Sequence, residues 1–204
     1  MLTEQYIDKL LTPWTSPFRI DYDGTSQTHP KNHGRVGFFA ESRFNIRANC
    51  DRGPDLGHTE IKTIRRDFGN YKDMTIGNVT SKEYHSLIRS SQRPMFRDSD
   101  PYSKMQQTLF ITYCVVEPGT NPLYSFLYWK NVNLSGLPHH IRMRLQSDYD
   151  YCIYAMKSYS YDALSTRVQI PRGATKYLTI APKGDTQYMY PAWKFRANFL
   201  KDVL

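Results

Sequence analysis

The segment from residue 53 to residue 64 decides the fold that this sequence predicts, and it reads G-P-D-L-G-H-T-E-I-K-T-I. Polar and apolar residues alternate over 59–64, which is typical of a half-buried β-strand. Side chains alternate sides along a strand, so Glu60 and Lys62 share one face while Ile61 points to the core. The pattern therefore predicts a half-buried strand on which the two charged side chains lie opposite Ile61.

A second carboxylate lies just before this strand. Asp55 precedes it across a turn that Gly57 permits, and this turn can fold Asp55 back beside Glu60. Carboxylates are hard oxygen ligands suited to Mg²⁺, and a nearby lysine can orient an attacking water or stabilise developing charge. With Lys62, the group predicts metal-assisted phosphodiester hydrolysis. An ordinary edge strand with solvated charges stays open as the alternative.

A third acidic residue lies in a predicted helix that contains two glycines. Residues 34–46 carry apolar side chains that suit a helix, and within it Gly34, Gly37 and Glu41 are spaced three and four apart. They therefore share one helical face, and the two glycines permit the close approach of another backbone. Glu41 is accordingly a candidate to complete the site, and the alternative is a surface glutamate.

The rest of the chain predicts an α/β protein with a central mixed sheet flanked by helices. Turn-rich residues fill 12–33, and residues 109–116 form a continuous apolar run that predicts a central strand. The other predicted elements are helices at 3–11 and 138–158, strands at 74–79 (a neighbour of the 59–64 strand), 123–129, 167–170 and 176–180, and a closing helix or strand at 193–204. We expect a single domain over 1–204, with two possible lobes at about 1–130 and about 131–204.

The composition is that of a basic globular protein without a membrane-spanning run. The 204 residues include 27 Lys or Arg and 19 Asp or Glu, and subtraction gives a net charge of +8. A positive surplus favours polyanionic partners through counterion release. Four carboxylates nevertheless lie between Glu41 and Glu60. A cluster of carboxylates in a basic chain is consistent with metal ions held against a phosphate backbone.

Together these residues resemble the MutH-like branch of the PD-(D/E)XK nucleases, which contains MutH and the MvaI/BcnI-type restriction endonucleases. The resemblance rests on the Gly-x-x-Gly-x-x-x-Glu helix ending at Glu41 and on Asp55 fourteen residues further on. It rests also on Glu60-x-Lys62 followed by Thr63. It implies a restriction-endonuclease-like core around the predicted strand.

The resemblance also implies roles for individual residues. Its catalytic set here is Glu41, Asp55, Glu60 and Lys62, with Asp55, Glu60 and Glu41 as ligands of Mg²⁺, for which Mn²⁺ can substitute. Asp51 is the rival for the first aspartate, although the Pro-Asp dipeptide at residue 55 fits the motif better.

Basic residues outside this set predict DNA contacts. Two follow the catalytic strand, two occupy Pro-basic-Gly turns, and two lie in a C-terminal aromatic-basic segment. One more precedes the 109–116 strand, where the resembled enzymes carry a basic residue. These residues are Arg65, Arg66, Lys104, Arg172, Lys183, Lys194 and Arg196. Most are expected to hold phosphate, which positions a protein without reading sequence.

The combined expectation is a Mg²⁺-dependent, sequence-specific type II restriction endonuclease that leaves 5′-phosphate and 3′-hydroxyl ends. A MutH-type mismatch-repair nicking enzyme is the alternative within the class, and a non-catalytic DNA-binding protein is the alternative outside it. We expect double-stranded DNA as the partner and a monomer or homodimer as the working form. A cytoplasmic location is expected, because no basic-then-apolar leader opens the chain and three cysteines cannot form a closed disulfide set.

Overall fold

The computed structural model describes residues 3–25, 27–29, 34–46, 54–167, 169–171, 173–184 and 189–204. Its α-helices are α1 (Glu4–Leu11), α2 (Arg35–Arg43), α3 (Ser81–Arg89), α4 (Asp100–Met105), α5 (His139–Ser158), α6 (Tyr161–Thr166) and α7 (Ala197–Val203). Its strands are β1 (Glu60–Asp67), β2 (Asn70–Tyr71), β3 (Met74–Asn78), β4 (Gln107–Glu117), β5 (Leu123–Asn133), β6 (Leu178–Gly184) and β7 (Met189–Phe195). No described helix is long and apolar enough to cross a membrane.

The chain divides into two compact units. The first combines residues 1–71 with 107–132, and the second combines 72–106 with 133–204. Each unit is assembled from two separate stretches of sequence, so each depends on contacts between residues far apart in the chain. The charged residues of β1 and the turn before it belong to the first unit.

A mixed four-stranded sheet forms the frame of the first unit. Its strand order is β2-β1-β4-β5. β1 runs parallel to β4, from Glu60 opposite Thr108 to Arg65 opposite Tyr113, and antiparallel to β2. The predicted α/β fold with a central mixed sheet flanked by helices is therefore confirmed.

The core of the first unit covers one face of this sheet. Ile61 of β1 and the paired Leu109 of β4 are buried together with side chains from α1 and α2. The helical contributions include Ile7, Leu11, Val36 and Ala40. Because strand residues alternate, the same burial turns Glu60 and Lys62 to the opposite face of the sheet, as the sequence predicts.

Close packing of α2 on β1 occurs at Gly37. A Cβ built on this glycine would lie 3.5 Å from the Oγ1 atom of Thr63, which is an ordinary van der Waals distance. The face of α2 that carries Gly37 and Glu41 therefore packs against the apolar side of β1. The contact has room for one methyl group and no more.

The variant Gly37→Ala is expected to raise stability by about 0.5–1 kcal/mol, because alanine is the better helix former and its methyl group fits. Urea unfolding followed by circular dichroism measures this gain. The variant Gly37→Leu is the matched comparison, and it is expected to lose stability by displacing Thr63. A destabilised Gly37→Ala protein would contradict the packing described for α2.

The second unit is built on an antiparallel sheet of order β3-β7-β6. Tyr149 of α5 packs on Trp193 of β7, with ring centroids 5.2 Å apart, and burial raises the pKa of Tyr149. Phe199 of α7 stacks on Phe195 of β7 at 4.1 Å. Aromatic packing of α5 and α7 on β7 thus forms much of this core.

Asp148 ties α5 to the beginning of β6. Its side chain is 1% exposed, and Oδ2 accepts backbone N–H groups of three consecutive residues. These donors are Lys176, Tyr177 and Leu178, at 3.0, 2.5 and 3.1 Å. Arg144 lies 2.9 Å from its other oxygen. One buried carboxylate therefore fixes a turn of irregular backbone against a helix.

Several expected elements differ from the structure. The prediction that residues 74–79 pair with the catalytic strand is wrong, because β3 pairs with β7 and β2 is the antiparallel neighbour of β1. The prediction of a strand at 167–170 is wrong for its described residues, which lie outside any strand. The closing segment contains both a strand and a helix, namely β7 and α7. Alternation of polarity indicates a strand but does not identify its partner.

Candidate functional site

A tight turn brings Asp55 to the first residues of β1. The backbones of Leu56 and Thr59 are hydrogen-bonded in both directions at 2.9 Å, and Gly57 between them has a φ of 61°. This positive φ is the conformation that glycine adopts most readily. Oδ2 of Asp55 then accepts the N–H of Ile61 at 2.9 Å. The fold-back that the sequence predicts is thus present, and it places the Asp55 carboxylate at the main chain beside Glu60.

Glu60 and Lys62 form a buried ion pair on the face opposite the core. The Glu60 side chain is 0% exposed, its Oε1 atom contacts Nζ of Lys62, and the Lys62 side chain is 23% exposed. Removing a carboxylate from water costs several kcal/mol, and a well-placed cation is needed to offset it. The alternative of an ordinary strand with solvated charges does not describe Glu60. The lysine is the member of the pair that reaches solvent.

Glu41 is placed differently from the other three predicted catalytic residues. It is half-buried on α2, on the helical face that packs against Thr63. Thr63 shares the core-facing side of β1 with Ile61, whereas Glu60 lies on the other side. Over the described ranges, no three or more His, Cys, Asp or Glu side chains form a group that could hold a metal ion. The structure thus brings Asp55 to Glu60 and Lys62 without a three-carboxylate cluster.

A two-carboxylate site still has the donor chemistry that Mg²⁺ needs. This ion keeps several of its waters and is held by one or two carboxylates together with oxygens of the substrate phosphate. Asp55 supplies hard oxygen donors from the turn before β1, and Glu60 supplies them from the first residue of the strand. The residues present therefore fit a magnesium ion completed by a substrate.

Two arginines follow the site along β1. Arg65 lies on the core-facing side of the strand, 45% exposed, and its Nε is 2.7 Å from Oδ1 of Asp67. Arg66 lies on the face of Glu60 and Lys62, with its guanidinium 5.6 Å from the centre of the Tyr71 ring. Opposite Arg65, burial raises the pKa of Tyr113 to about 12, so this phenol is neutral at physiological pH. The far half of the strand thus carries two arginines and one aspartate.

The predicted DNA contacts of the second unit differ in exposure. Lys183 is exposed on β6, and Lys104 is half-buried on α4. Lys194 is half-buried on β7, where its Nζ donates to the carbonyl of Pro182 at 3.0 Å and burial lowers its pKa. Desolvation explains that direction, because it disfavours the charged ammonium. Lys183 thus has the most accessible ammonium of the three.

Two predicted DNA contacts remain, Arg196 and Arg172. Arg196 donates from Nε to Oγ1 of Thr175 at 2.8 Å, so its guanidinium is engaged within its own unit. Arg172 lies outside the described residues, as does Asp51, the rival for the first aspartate.

One surface feature was missed by the sequence reasoning. The strands β1 and β2 are joined by a two-residue turn made of Phe68 and Gly69, because Asp67 pairs with Asn70. The Gly-Asn dipeptide at residues 69–70, following an alternating strand, was an available hairpin signal. Phe68 stands at the tip of this turn with a relative exposure of 105%.

Comparison with known proteins finds similarity at the level of solved structures. No protein-family model and no curated protein matches the chain. Among solved structures, it is similar to the restriction endonuclease MvaI in its cognate DNA substrate complex, with a TM-score of 0.47 and 8% identity. That alignment covers 98% of this chain and 96% of the other. At this identity, no residue of the present chain takes a role from that enzyme.

Proposed function

We propose that this chain is a metal-dependent DNA nuclease whose active site is formed by Asp55, Glu60 and Lys62. The buried Glu60–Lys62 ion pair, with Asp55 folded back beside it, is the observation that carries the proposal. A buried ion pair gives little net stability compared with apolar side chains of similar size. Its presence at the end of a strand, beside a second carboxylate, is therefore better explained by chemistry than by folding.

The two carboxylates are the proposed metal ligands. Asp55 is held in place by the Ile61 N–H, and Glu60 by the rigid start of β1. When bound, Mg²⁺ supplies positive charge at the phosphoryl oxygens and lowers the pKa of a coordinated water. Glu41 is the proposed supporting residue on α2, where it assists a second metal or orients Lys62.

Lys62 is the proposed partner of the attacking water. Its ammonium contacts the Glu60 carboxylate, and its side chain is 23% exposed. A preorganised cation stabilises charge that develops in the transition state without reorganising at the moment of reaction. Lys62 can also hold the water for in-line attack on phosphorus, with departure of the 3′-oxygen. The products are then a 5′-phosphate and a 3′-hydroxyl.

Double-stranded DNA is the proposed substrate, cut at specific sites as by a type II restriction enzyme. The net charge of +8 supports a polyanionic substrate, and the exposed cations after the site include Arg65 on β1. The MutH-like resemblance of the 34–63 motifs supports restriction or nicking chemistry. Arg66, Lys104, Arg172, Lys183, Lys194 and Arg196 remain proposed DNA contacts, with Arg172 outside the described residues.

Incubation of the purified protein with unmethylated plasmid and Mg²⁺ tests the function directly. Discrete linear fragments support a restriction enzyme, and slow conversion to the open circle supports a nicking enzyme. Sequencing of the product ends identifies the site and the end chemistry. Addition of EDTA is expected to stop cleavage, and excess Mg²⁺ is expected to restore it. A salt-sensitive gel shift without any cutting would instead support a non-catalytic DNA-binding protein.

The variant Asp55→Asn is expected to cut at least about 100-fold more slowly, because it removes one proposed anionic metal ligand. The amide oxygen can still accept the Ile61 N–H, so the turn should keep its shape and the unfolding transition should be unchanged. Asp98→Asn is the control, since Asp98 is a 69% exposed carboxylate of the second unit. Wild-type rates in Asp55→Asn would exclude the proposed site.

A further inference from the structure

The β1–β2 turn, made of Phe68 and Gly69, presents an aromatic ring to solvent. Phe68 has a φ of 48° and Gly69 a φ of 83°, so both central residues adopt positive φ. With Asp67 paired to Asn70, this is the backbone of a type I′ turn. The Phe68 side chain has a relative exposure of 105%, the highest among the exposed large apolar side chains described.

Phenylalanine is unfavourable at this position in two ways. The first central residue of a type I′ turn is normally Asn, Asp or Gly, because other side chains are strained at positive φ. A solvent-exposed ring also gains nothing from burial in the folded chain. Folding by itself would therefore favour asparagine over Phe68. The position therefore combines backbone strain with an exposed ring, and folding explains neither.

We propose that Phe68 is a wedge that inserts between adjacent base pairs of the bound DNA duplex. The inference rests on the proposed nuclease function and adds a DNA-positioning residue to it. Apolar side chains on protruding elements partly unstack a base step and kink the duplex. Phe68 has the geometry for this, since its ring extends beyond the hairpin backbone and meets no competing packing.

The surroundings of the turn suit a duplex rather than a protein partner. Arg65 and Arg66 immediately precede the turn and can contact phosphates on either side of an opened step. The exposed Arg65–Asp67 ion pair is weak, so a phosphate can replace Asp67 at little cost. One exposed ring next to two arginines offers little apolar area to a protein surface but matches one base step flanked by phosphates.

Side-chain contacts connect the hairpin to the rest of its sheet. The hydroxyl of Tyr71 on β2 contacts that of Tyr128 on β5, and the Arg66 guanidinium lies over the Tyr71 ring. The wedge is thereby fixed to the same sheet as the active site. Six residues of extended strand separate Lys62 from Phe68, a span of roughly 20 Å. At about 3.4 Å per base pair, this span places the wedge at most about six base pairs from the cut.

This spacing gives Phe68 a defined task in the reaction. A base step opened at a fixed distance from the scissile phosphate sets the register of the duplex over Lys62. Insertion of the ring also favours base steps that unstack easily, namely pyrimidine–purine steps such as TA and CA/TG. Phe68 is thus a positioning residue, which does not touch the reacting atoms.

Two variants of Phe68 test the proposal in duplex DNA that carries 2-aminopurine at successive positions. The duplex contains the cleaved site, EDTA prevents cutting, and the salt concentration is held constant. Wild-type protein is expected to raise 2-aminopurine fluorescence at one step within about six base pairs of the cut. Phe68→Asn is expected to abolish this signal and to weaken binding about 10-fold, and Phe68→Trp is expected to retain both.

Thermal unfolding separates a binding role from a structural one. Phe68→Asn is expected to melt at or above the wild-type temperature, because asparagine accepts the turn conformation. A lower melting temperature, or unchanged binding and fluorescence in Phe68→Asn, would overturn the proposal. The proposal would also be overturned if Phe68→Asn abolished a protein dimer in sedimentation but left DNA binding unchanged. Phe68 would then contact a second copy of the chain. Wild-type protein that neither binds nor cuts DNA would instead refute the proposed function itself.

Discussion

Replacement of Lys62 by methionine is expected to slow DNA cleavage by about 100-fold to 1,000-fold, the usual effect of removing one preorganised group that stabilises transition-state charge. The same change leaves the Glu60 carboxylate buried without the ammonium that now pairs with it. Loss of one partner of a buried ion pair typically costs about 3–5 kcal/mol of stability. Lys62→Met is therefore expected to be both inactive and destabilised.

The double variant Glu60→Met/Lys62→Met separates these two effects. Because both charges are removed, most of the stability should return, and the variant should unfold near the wild-type urea concentration. Cleavage should remain absent, since a proposed metal ligand and the proposed water-positioning cation are both missing. Urea unfolding and plasmid digestion, measured on the same preparations, check the pair of outcomes. A stable double variant that still cuts DNA would show that the ion pair has no part in the chemistry.

Replacement of Asp148 by alanine is expected to cost the second unit at least about 3 kcal/mol. Its Oδ2 accepts three backbone N–H groups at 2.5–3.1 Å inside the protein. Each buried donor left without an acceptor costs about 1–3 kcal/mol, and the three losses add incompletely. Arg144 also loses its carboxylate partner. The change should therefore loosen the backbone that leads from α5 to β6.

Asp202→Ala is the matched control for this variant. Asp202 contacts the same segment through Lys176 at 3.0 Å and through the Tyr177 hydroxyl at 2.6 Å, but its side chain is 35% exposed. A partly exposed ion pair contributes about 1 kcal/mol or less. Urea unfolding and amide hydrogen exchange at residues 176–178 compare the two variants. Equal effects of Asp148→Ala and Asp202→Ala would contradict the anchoring role of Asp148.

Local patterns were sufficient for the strand that carries the candidate site. Alternation over 59–64 predicted β1 and the core position of Ile61, and both are confirmed. Gly57 predicted the turn that returns Asp55 to the strand, and the hydrogen bond from Ile61 shows that return. These features depend on the two-residue period of a strand and on the φ that a glycine permits. Both are properties of neighbouring residues.

Such local patterns did not predict contacts between residues that are distant in sequence. The pairing of β3 with β7 was mispredicted, because alternation describes a strand without specifying its neighbour. Asp148 was overlooked because its three donors lie 28–30 residues further along the chain. Phe68 was overlooked because its exposure becomes visible only when the hairpin is folded. Each depends on contacts between elements rather than on a local period.

The sequence by itself determined which residues alternate along β1, where its turn lies and that acid and base are concentrated in different parts of a basic chain. Tertiary structure decided that Glu60 is fully buried against Lys62, that the face of α2 carrying Glu41 packs on the core side of β1 and that Phe68 meets only solvent. The physical reason is that side-chain direction follows from local backbone geometry. Burial and pairing depend on atoms that only the folded chain brings near.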